Sequence, residues 1–105
     1  MQVADLSVRR FAPEGLQKLN LFQTARFFAD LYCLEPEQEQ KPHAHEGADK
    51  VYIVLEGRAR VRVGEEERDL GPNQAVLAPG GQPHGVRNPG PERLTLLVFM
   101  APVPS

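Results

Sequence analysis

Two histidines stand two residues apart in Pro42-His43-Ala44-His45, just before an apolar run at residues 51–55. Side chains alternate along a strand, so His43 and His45 would point to the same side, with Cα atoms about 6–7 Å apart. Two imidazoles at that spacing can converge on one metal ion, whose bonds to histidine nitrogen are about 2.0–2.1 Å long. The pair therefore predicts half of a metal site.

The remaining histidine, His84, lies far along the chain, at the end of Pro79-Gly80-Gly81-Gln82-Pro83-His84. A third ligand from a distant strand is what a metal site inside a β-barrel requires. Taken alone, a histidine is most often a polar residue with an ordinary hydrogen-bond partner. The prediction that His43, His45 and His84 converge on one pocket therefore depends on the set of three.

These segments resemble the two motifs of the cupin family. Seven residues stand at matching motif positions: His43, His45 and Gly57 in the first motif, and Pro79, Gly81, His84 and Asn88 in the second. The resemblance covers about residues 30–101. It implies an all-β double-stranded β-helix, the jelly-roll barrel of cupins, and a metal ion held by the three histidines.

Three residues depart from the family pattern. Glu37 and Asn73 stand where the two motifs begin with glycine. Asparagine readily replaces glycine at positive φ, whereas Glu37 predicts a differently shaped loop before the histidines. Lys50 occupies the position of the family's metal-binding glutamate, a chemical departure that bears directly on the site.

Lys50 would share a strand face with Tyr52. If that face points inward, the Lys50 ammonium approaches the bound divalent metal ion, and the repulsion between the two positive charges is on the order of several kcal/mol. Three outcomes follow. The long side chain swings to the barrel mouth, leaving a three-histidine metal site completed by water. A bulge at residues 48–50 turns Asp49 inward as a further ligand. In the third, the pocket is metal-free, and Lys50 with the histidines binds an anionic small molecule.

Tyr52 has two interpretations of its own. Its hydroxyl would face the pocket, where it can contact a ligand. Packing in the core with a hydrogen-bonded hydroxyl fits the sequence equally well.

Size and composition limit the classes of function. A chain of 105 residues is long enough for one core and predicts one domain. A net charge of −2 gives no basic surface for nucleic acid, and no apolar stretch approaches the length of a membrane span. We expect a cytoplasmic protein, because the single cysteine, Cys33, excludes an internal disulfide and fits a reducing compartment.

Short apolar runs separated by Gly/Pro turns predict strands throughout, with no clear long helix. Strands are expected at residues 6–11, 18–22, 25–34, 49–55, 58–63, 75–78, 84–88 and 94–100. A helix over residues 21–32 is the alternative for the third segment. Residues 35–41 are polar and predict a solvated loop.

We therefore expect residues 1–105 to form a single cupin domain. Residues 1–29 would supply N-terminal strands and a dimer arm, residues 30–101 the barrel core, and residues 102–105 a frayed tail. The apolar content of so short a chain predicts a homodimer. No nucleic acid and no membrane are expected as partners.

The expected function is to bind a divalent transition metal, namely zinc, nickel, iron or manganese, and to act on or sense a small polar metabolite. If the protein is an enzyme, the resemblance implies a metal-dependent dioxygenase or isomerase. A ligand-binding or sensing module without turnover is the alternative, because the chain offers no dedicated acid/base pair.

Overall fold

A computed structural model describes residues 1–103 and gives an all-β architecture, as predicted. Within these residues nine strands follow one another: β1 Gln17–Gln23, β2 Phe28–Leu34, β3 Glu39–His43, β4 Asp49–Glu56, β5 Ala59–Val63, β6 Glu66–Leu70, β7 Ala75–Ala78, β8 His84–Arg87 and β9 Leu94–Ala101. The helix alternative for residues 21–32 is wrong, since β1 and β2 occupy most of that segment. Nothing in the described chain forms a helix with the length and apolar character of a membrane span.

The strands form two antiparallel sheets. One has five strands in the order β1-β2-β9-β4-β7, and the other has four in the order β3-β8-β5-β6. Apolar side chains from both sheets pack into one core between them: Tyr32, Leu34, Tyr52, Val54, Ala59, Val61, Leu70, Val86, Leu94, Leu96 and Val98. This arrangement is the predicted jelly-roll barrel.

Strand β4 shows why these residues form a barrel wall. Its buried residues alternate with half-buried ones, and Lys50, Tyr52 and Val54 point into the barrel. A sequence with this period of two has one face for the interior and one for the outside. The turn to β5 contains Gly57 at φ 83°, a conformation that glycine adopts without steric cost.

Strands β3 and β8 lie unusually close together. A Cβ at Gly85 would stand 2.6 Å from the Gln40 carbonyl oxygen and 2.9 Å from the Pro42 nitrogen. Glycine is therefore the residue that lets the two backbones approach. This pairing places His43 opposite His84, so it positions two of the three candidate ligands.

Both residues that replace the motif glycines have positive φ, 75° for Glu37 and 70° for Asn73. Glu37 thus adopts a backbone conformation natural to glycine, in place of the reshaped loop expected there. Its N–H donates to the Asn88 carbonyl at 2.8 Å, and its carboxylate pairs with Arg87. These contacts offset the strain of the left-handed conformation, which is on the order of 1–2 kcal/mol.

Three segment predictions are wrong. Residues 66–70 form β6, which pairs with β5, although no strand was predicted there. Residues 6–11 form no strand, because the Asp5 carboxylate accepts hydrogen bonds from the Ser7 N–H and hydroxyl and closes a local turn. The polar residues 39–41 belong to β3 rather than to a loop. Strand β3 is an edge strand, so polar side chains on it can reach water.

The predicted frayed tail, residues 102–105, lies partly outside the described residues. Of it, Pro102 and Val103 are described and belong to no strand.

The close approach of β3 to β8 yields a stability prediction. Gly85→Ala should lower the free energy of unfolding by at least about 2 kcal/mol, because the added methyl group meets backbone atoms that cannot rotate away. Urea unfolding of the purified protein measures the change. Gly15→Ala is the matched control, since a Cβ there meets nothing within 4 Å. Equal stability of the two variants would contradict the assigned contact.

Candidate metal centre

The three histidines lie together at one end of the β3–β8 pair. His43 ends β3 and pairs with His84, the first residue of β8. His45 follows in the next loop, where its carbonyl accepts a hydrogen bond from the Gly81 N–H at 2.9 Å. The ring centroids are 4.6 Å apart for His43 and His84, 4.8 Å for His43 and His45, and 5.8 Å for His45 and His84. One potential ligand nitrogen from each residue lies within 4.8 Å of the others.

Backbone carbonyls fix the tautomer of two of these rings. Nδ1 of His43 lies 2.9 Å from the Lys41 carbonyl oxygen, and Nδ1 of His84 lies 3.0 Å from the Gln82 carbonyl oxygen. A carbonyl can only accept, so each Nδ1 donates its proton. Nε2 of both rings therefore carries the free lone pair that a metal ion requires.

The surroundings of His45 and His84 favour the neutral form of their rings. His84 is 1% exposed, and burial lowers its pKa to about 4. Burial and then the neighbouring His43 lower the pKa of His45. Nε2 of His84 is buried and has no hydrogen-bond partner among the described residues. An unpartnered lone pair beside two more imidazoles is the donor set that a divalent transition metal fits.

Lys50 points into the barrel, as the strand alternation predicts, but its ammonium does not reach the mouth. The residue is 2% exposed, and Nζ donates to Oε1 of Gln40 at 3.1 Å. Nζ also lies 5.5 Å from the ring centroid of Tyr32 and 5.1 Å from that of Tyr52. The expected swing of Lys50 towards the mouth is therefore not what the structure shows.

Asp49 lies outside the cluster. It is exposed, and its carboxylate accepts a hydrogen bond from the Gly80 N–H at 2.8 Å. The pairing of β4 with β9 runs in register from Asp49 to Val54. Without a bulge at residues 48–50, strand alternation turns Asp49 away from the face that Lys50 and Tyr52 share.

Gln40 is the pocket residue that sequence reasoning missed. Its Oε1 accepts hydrogen bonds from Lys50 and, at 3.0 Å, from the Tyr52 hydroxyl, while its Nε2 donates to the Tyr32 hydroxyl at 3.3 Å. Counting by twos along β3 places Gln40 and His43 on opposite faces. The register of β3 against β8 shifts between these two residues, and that bulge lets both serve the same pocket. No local signal in the sequence marks the shift.

The two tyrosines are held as neutral phenols. Burial, as the largest influence, raises the pKa of Tyr32 to about 12 and raises that of Tyr52 further. Both stay protonated at neutral pH and can act as hydrogen-bond donors. The structure shows the core interpretation of Tyr52, because the residue is fully buried and its hydroxyl donates to Oε1 of Gln40. Contact of that hydroxyl with a ligand stays a prediction.

Groove size does not identify the site. A groove of about 370 Å³ lies between the edge strands β6 and β7, and it is lined mainly by apolar side chains such as Val61, Leu70 and Val76. No histidine lines it. The chemistry of the donor set, rather than cavity volume, singles out the three imidazoles.

Comparison with known proteins agrees with the fold. The family model for the cupin domain matches residues 30–100. An uncharacterised protein of Streptomyces coelicolor is 31% identical over 100 residues, which cover 93% of this chain and 91% of the relative.

Solved structures give the same result. A crystal structure of a Thermus thermophilus protein superposes with a TM-score of 0.96 at 51% identity, covering 99% of this chain and all of the other. A Klebsiella pneumoniae protein described as having a double-stranded β-helix domain superposes with a TM-score of 0.87 at 23% identity, covering 95% of this chain and 84% of the other.

The burial of Lys50 yields a pH-dependent prediction. Burial, followed by the charge of Lys18, lowers the Lys50 pKa from 10.5 to about 8. The Lys50 amine therefore binds its proton more tightly in the unfolded chain than in the folded one. For this reason, the contribution of Lys50 to the free energy of unfolding falls as the pH drops from 10.5 to 8. Lys50→Met should be more stable than wild type at pH 7 by about 3 kcal/mol, with the gain vanishing near pH 10.5.

Urea unfolding in the presence of a chelator, at several pH values between 7 and 10.5, measures this difference. A stability difference that stays constant over that range would contradict the assigned burial of the ammonium.

Proposed function

The chain belongs to the cupin family, and we propose that it binds one divalent transition metal ion through His43, His45 and His84 and acts on or senses a small polar metabolite there. The observation that carries the proposal is the convergence of three imidazoles whose ligand nitrogens lie within 4.8 Å of one another. In two of them the proton is held on Nδ1 by a carbonyl. Little rearrangement is then needed before an ion binds.

Three imidazoles suit zinc, nickel and iron, with open coordination positions left for water or a ligand. Manganese prefers oxygen ligands and stays in the proposal as a further ion to be tested. Such an ion supplies Lewis-acid polarisation of a ligand oxygen or, as iron, redox chemistry. The protein itself supplies the oriented imidazoles and the hydrogen-bonded side chains of Lys50, Gln40 and Tyr52. Dioxygenase or isomerase activity stays a prediction from the family resemblance.

Lys50 distinguishes this pocket from one with the family's glutamate. Lys50 stands at the motif position of the family's metal-binding glutamate, and its ammonium donates to Gln40 at 3.1 Å. A pocket with a donor in that position binds acceptor groups of a ligand. This substitution favours binding or sensing over turnover.

A second candidate function is a metal-free pocket that binds an anionic small molecule through Lys50 and the histidines. The observation that favours it is the buried ammonium, which has only the neutral amide of Gln40 as its hydrogen-bond acceptor among the described residues. Metal analysis separates the two functions.

The metal site is tested with purified untagged protein. Wild type should hold about one equivalent of metal, and His84→Ala should lose it, because one of three ligands is removed. Elemental analysis, with thermal shifts across zinc, nickel, manganese and ferrous ions, measures the change. A saturating ligand at about a hundredfold excess over Kd stabilises the folded state by about 2.7 kcal/mol.

Two variants accompany this test. Asp49→Asn keeps an acceptor for the Gly80 N–H and should retain the metal. Lys50→Glu should bind metal more tightly than wild type, since it removes a positive charge and supplies a ligand. Stoichiometric metal in His84→Ala would rule out the assigned site.

The homodimer is also part of the proposal. Two apolar rows cross the five-stranded sheet on its outer face: Leu19, Leu31, Leu97, Ile53 and Ala75 in one, and Phe22, Ala29, Phe99, Val51 and Leu77 in the other. Leu77 is 56% exposed and Phe99 36%, whereas Leu31 and Ala29 are buried within the chain. An exposed apolar area around Leu77 and Phe99 favours association, and a second copy presents the same area about a two-fold axis.

The dimer is tested by sedimentation. Wild type should sediment as a dimer at micromolar concentration, and Leu77→Lys combined with Phe99→Lys should give a folded monomer, because two charges then lie in the apolar rows. Arg68→Glu, an exposed change on the other sheet, is the control and should remain dimeric. A monomeric wild type would contradict this part of the proposal.

Two further predictions accompany the proposal. The buried free thiol of Cys33 is compatible with a cytoplasmic location. The net charge of −2 offers no basic surface for nucleic acid as a partner.

A further inference from the structure

The ammonium of Lys50 is a buried charge without a buried counter-ion. Its side chain is enclosed, and the described residues offer it one hydrogen-bond acceptor, Oε1 of Gln40. No carboxylate of the described residues forms an ion pair with it. An ammonium has three N–H donors, so two remain for another partner. Burying an unneutralised charge is unfavourable unless such a partner is supplied.

Gln40 cannot accept further hydrogen bonds from Lys50. Its Oε1 already accepts from both Lys50 and Tyr52, which uses both lone pairs. Its Nε2 donates to the Tyr32 hydroxyl, so that hydroxyl acts as an acceptor and its own proton has no acceptor among the described residues. Lys50 and Tyr32 therefore form a wall of spare donors, which we call the donor wall.

Two ammonium groups and one carboxylate supply the charges at the donor wall. The Lys18 ammonium lies 5.3 Å from the ring centroid of Tyr32, opposite Lys18 in the pairing of β1 with β2. The carboxylate of Asp30 accepts a hydrogen bond from Asn20 at 2.9 Å, and, as a smaller influence than burial, its negative charge acts to raise the pKa values of Lys50 and Tyr32 without forming an ion pair with Lys50.

The Tyr52 hydroxyl shares Oε1 of Gln40 with Lys50, and the Tyr52 ring centroid lies 6.3 Å from that of His84. A metal ion on the histidines would add two further positive charges to this pocket.

We infer that the metabolite bound here is a small carboxylate, whose carboxylate group accepts hydrogen bonds from Lys50 and Tyr32 while its remaining polar group faces the three histidines. This inference rests on the proposed function for the placement of that second group. A carboxylate offers two acceptor oxygens in one plane, matching an ammonium and a phenol on one wall. A sulfate or phosphate has more acceptor sites than the three spare donors of the donor wall can satisfy, namely two N–H groups of Lys50 and the O–H group of Tyr32.

The test uses the full chain loaded with one equivalent of zinc, and the zinc content is measured separately for each variant. Lactate and pyruvate serve as probes in calorimetric titrations, with lactamide as the neutral analogue of lactate and sulfate as a tetrahedral anion. Lys50→Met keeps the length of the side chain and removes the charge. Tyr32→Phe removes one donor, and Arg68→Met removes an exposed positive charge elsewhere as a control.

Lactate or pyruvate should bind wild type at least tenfold more tightly than lactamide does. Lys50→Met should weaken that binding about tenfold or more, and Tyr32→Phe about threefold, while both keep their zinc and Arg68→Met matches wild type. Zinc-loaded Lys50→Met that binds the carboxylates as wild type does would overturn the inference. So would equal binding of lactamide, tighter binding of sulfate, or no binding of either carboxylate at millimolar concentration.

Failure of the metal site gives a different result. If wild type takes up no zinc, the proposed metal site fails. The same titrations on the metal-free protein then test whether the donor wall binds a carboxylate. Loss of carboxylate binding in Lys50→Met would still support that role of the donor wall, and unchanged binding would overturn it.

Discussion

The antiparallel pairing of β3 with β8 is the constraint on which the site depends. It joins two segments far apart in the chain and places His43 directly opposite His84. Gly85 permits the close approach, because any Cβ there would meet the backbone of β3. The hydrogen bond from the Gly81 N–H to the His45 carbonyl then holds the third imidazole beside the other two. Three rings thus converge on one region without any of them being adjacent in a single regular strand.

The pocket combines one group of residues suited to bind a cation with another suited to bind an anion. The imidazoles present lone pairs suited to a cation, since backbone carbonyls hold the protons of His43 and His84 on Nδ1. The opposite group, Lys50 with Tyr32 and Tyr52 around Gln40, presents donors and a buried positive charge. A cation and an anion bound together would satisfy both groups, and each would offset the electrostatic cost of the other. Under the proposed function, Lys50 therefore belongs to a ligand-binding wall and is not a damaged metal ligand.

Much of the barrel followed from local patterns. The alternation of β4 and β5 and the turn at Gly57 were sufficient to predict two strands and the turn between them. The prediction that these strands pair as a hairpin is wrong, because β4 and β5 lie in different sheets. Other segments were predicted wrongly, because a hydrogen bond or a strand pairing gave them a structure different from the one that their local pattern indicates. Residues 6–11 alternate like a strand, yet the turn closed by Asp5 and Ser7 ends any extension there. The polar start of β3 resembles a loop, yet pairing with β8 makes it an edge strand.

The sequence by itself determined the fold class, the identity of the three histidines and the inward direction of Lys50, because strand alternation and residue chemistry are local properties. Tertiary structure alone decided where the Lys50 ammonium lies and that Gln40 joins the pocket. The bulge between Gln40 and His43 reverses the expected face of Gln40, and its position depends on the register of β3 against a distant strand. Likewise, the aromatic rings that enclose the ammonium come from β2 and β4, strands joined only through β9. Register and enclosure are set by long-range pairing, which no local pattern of residues encodes.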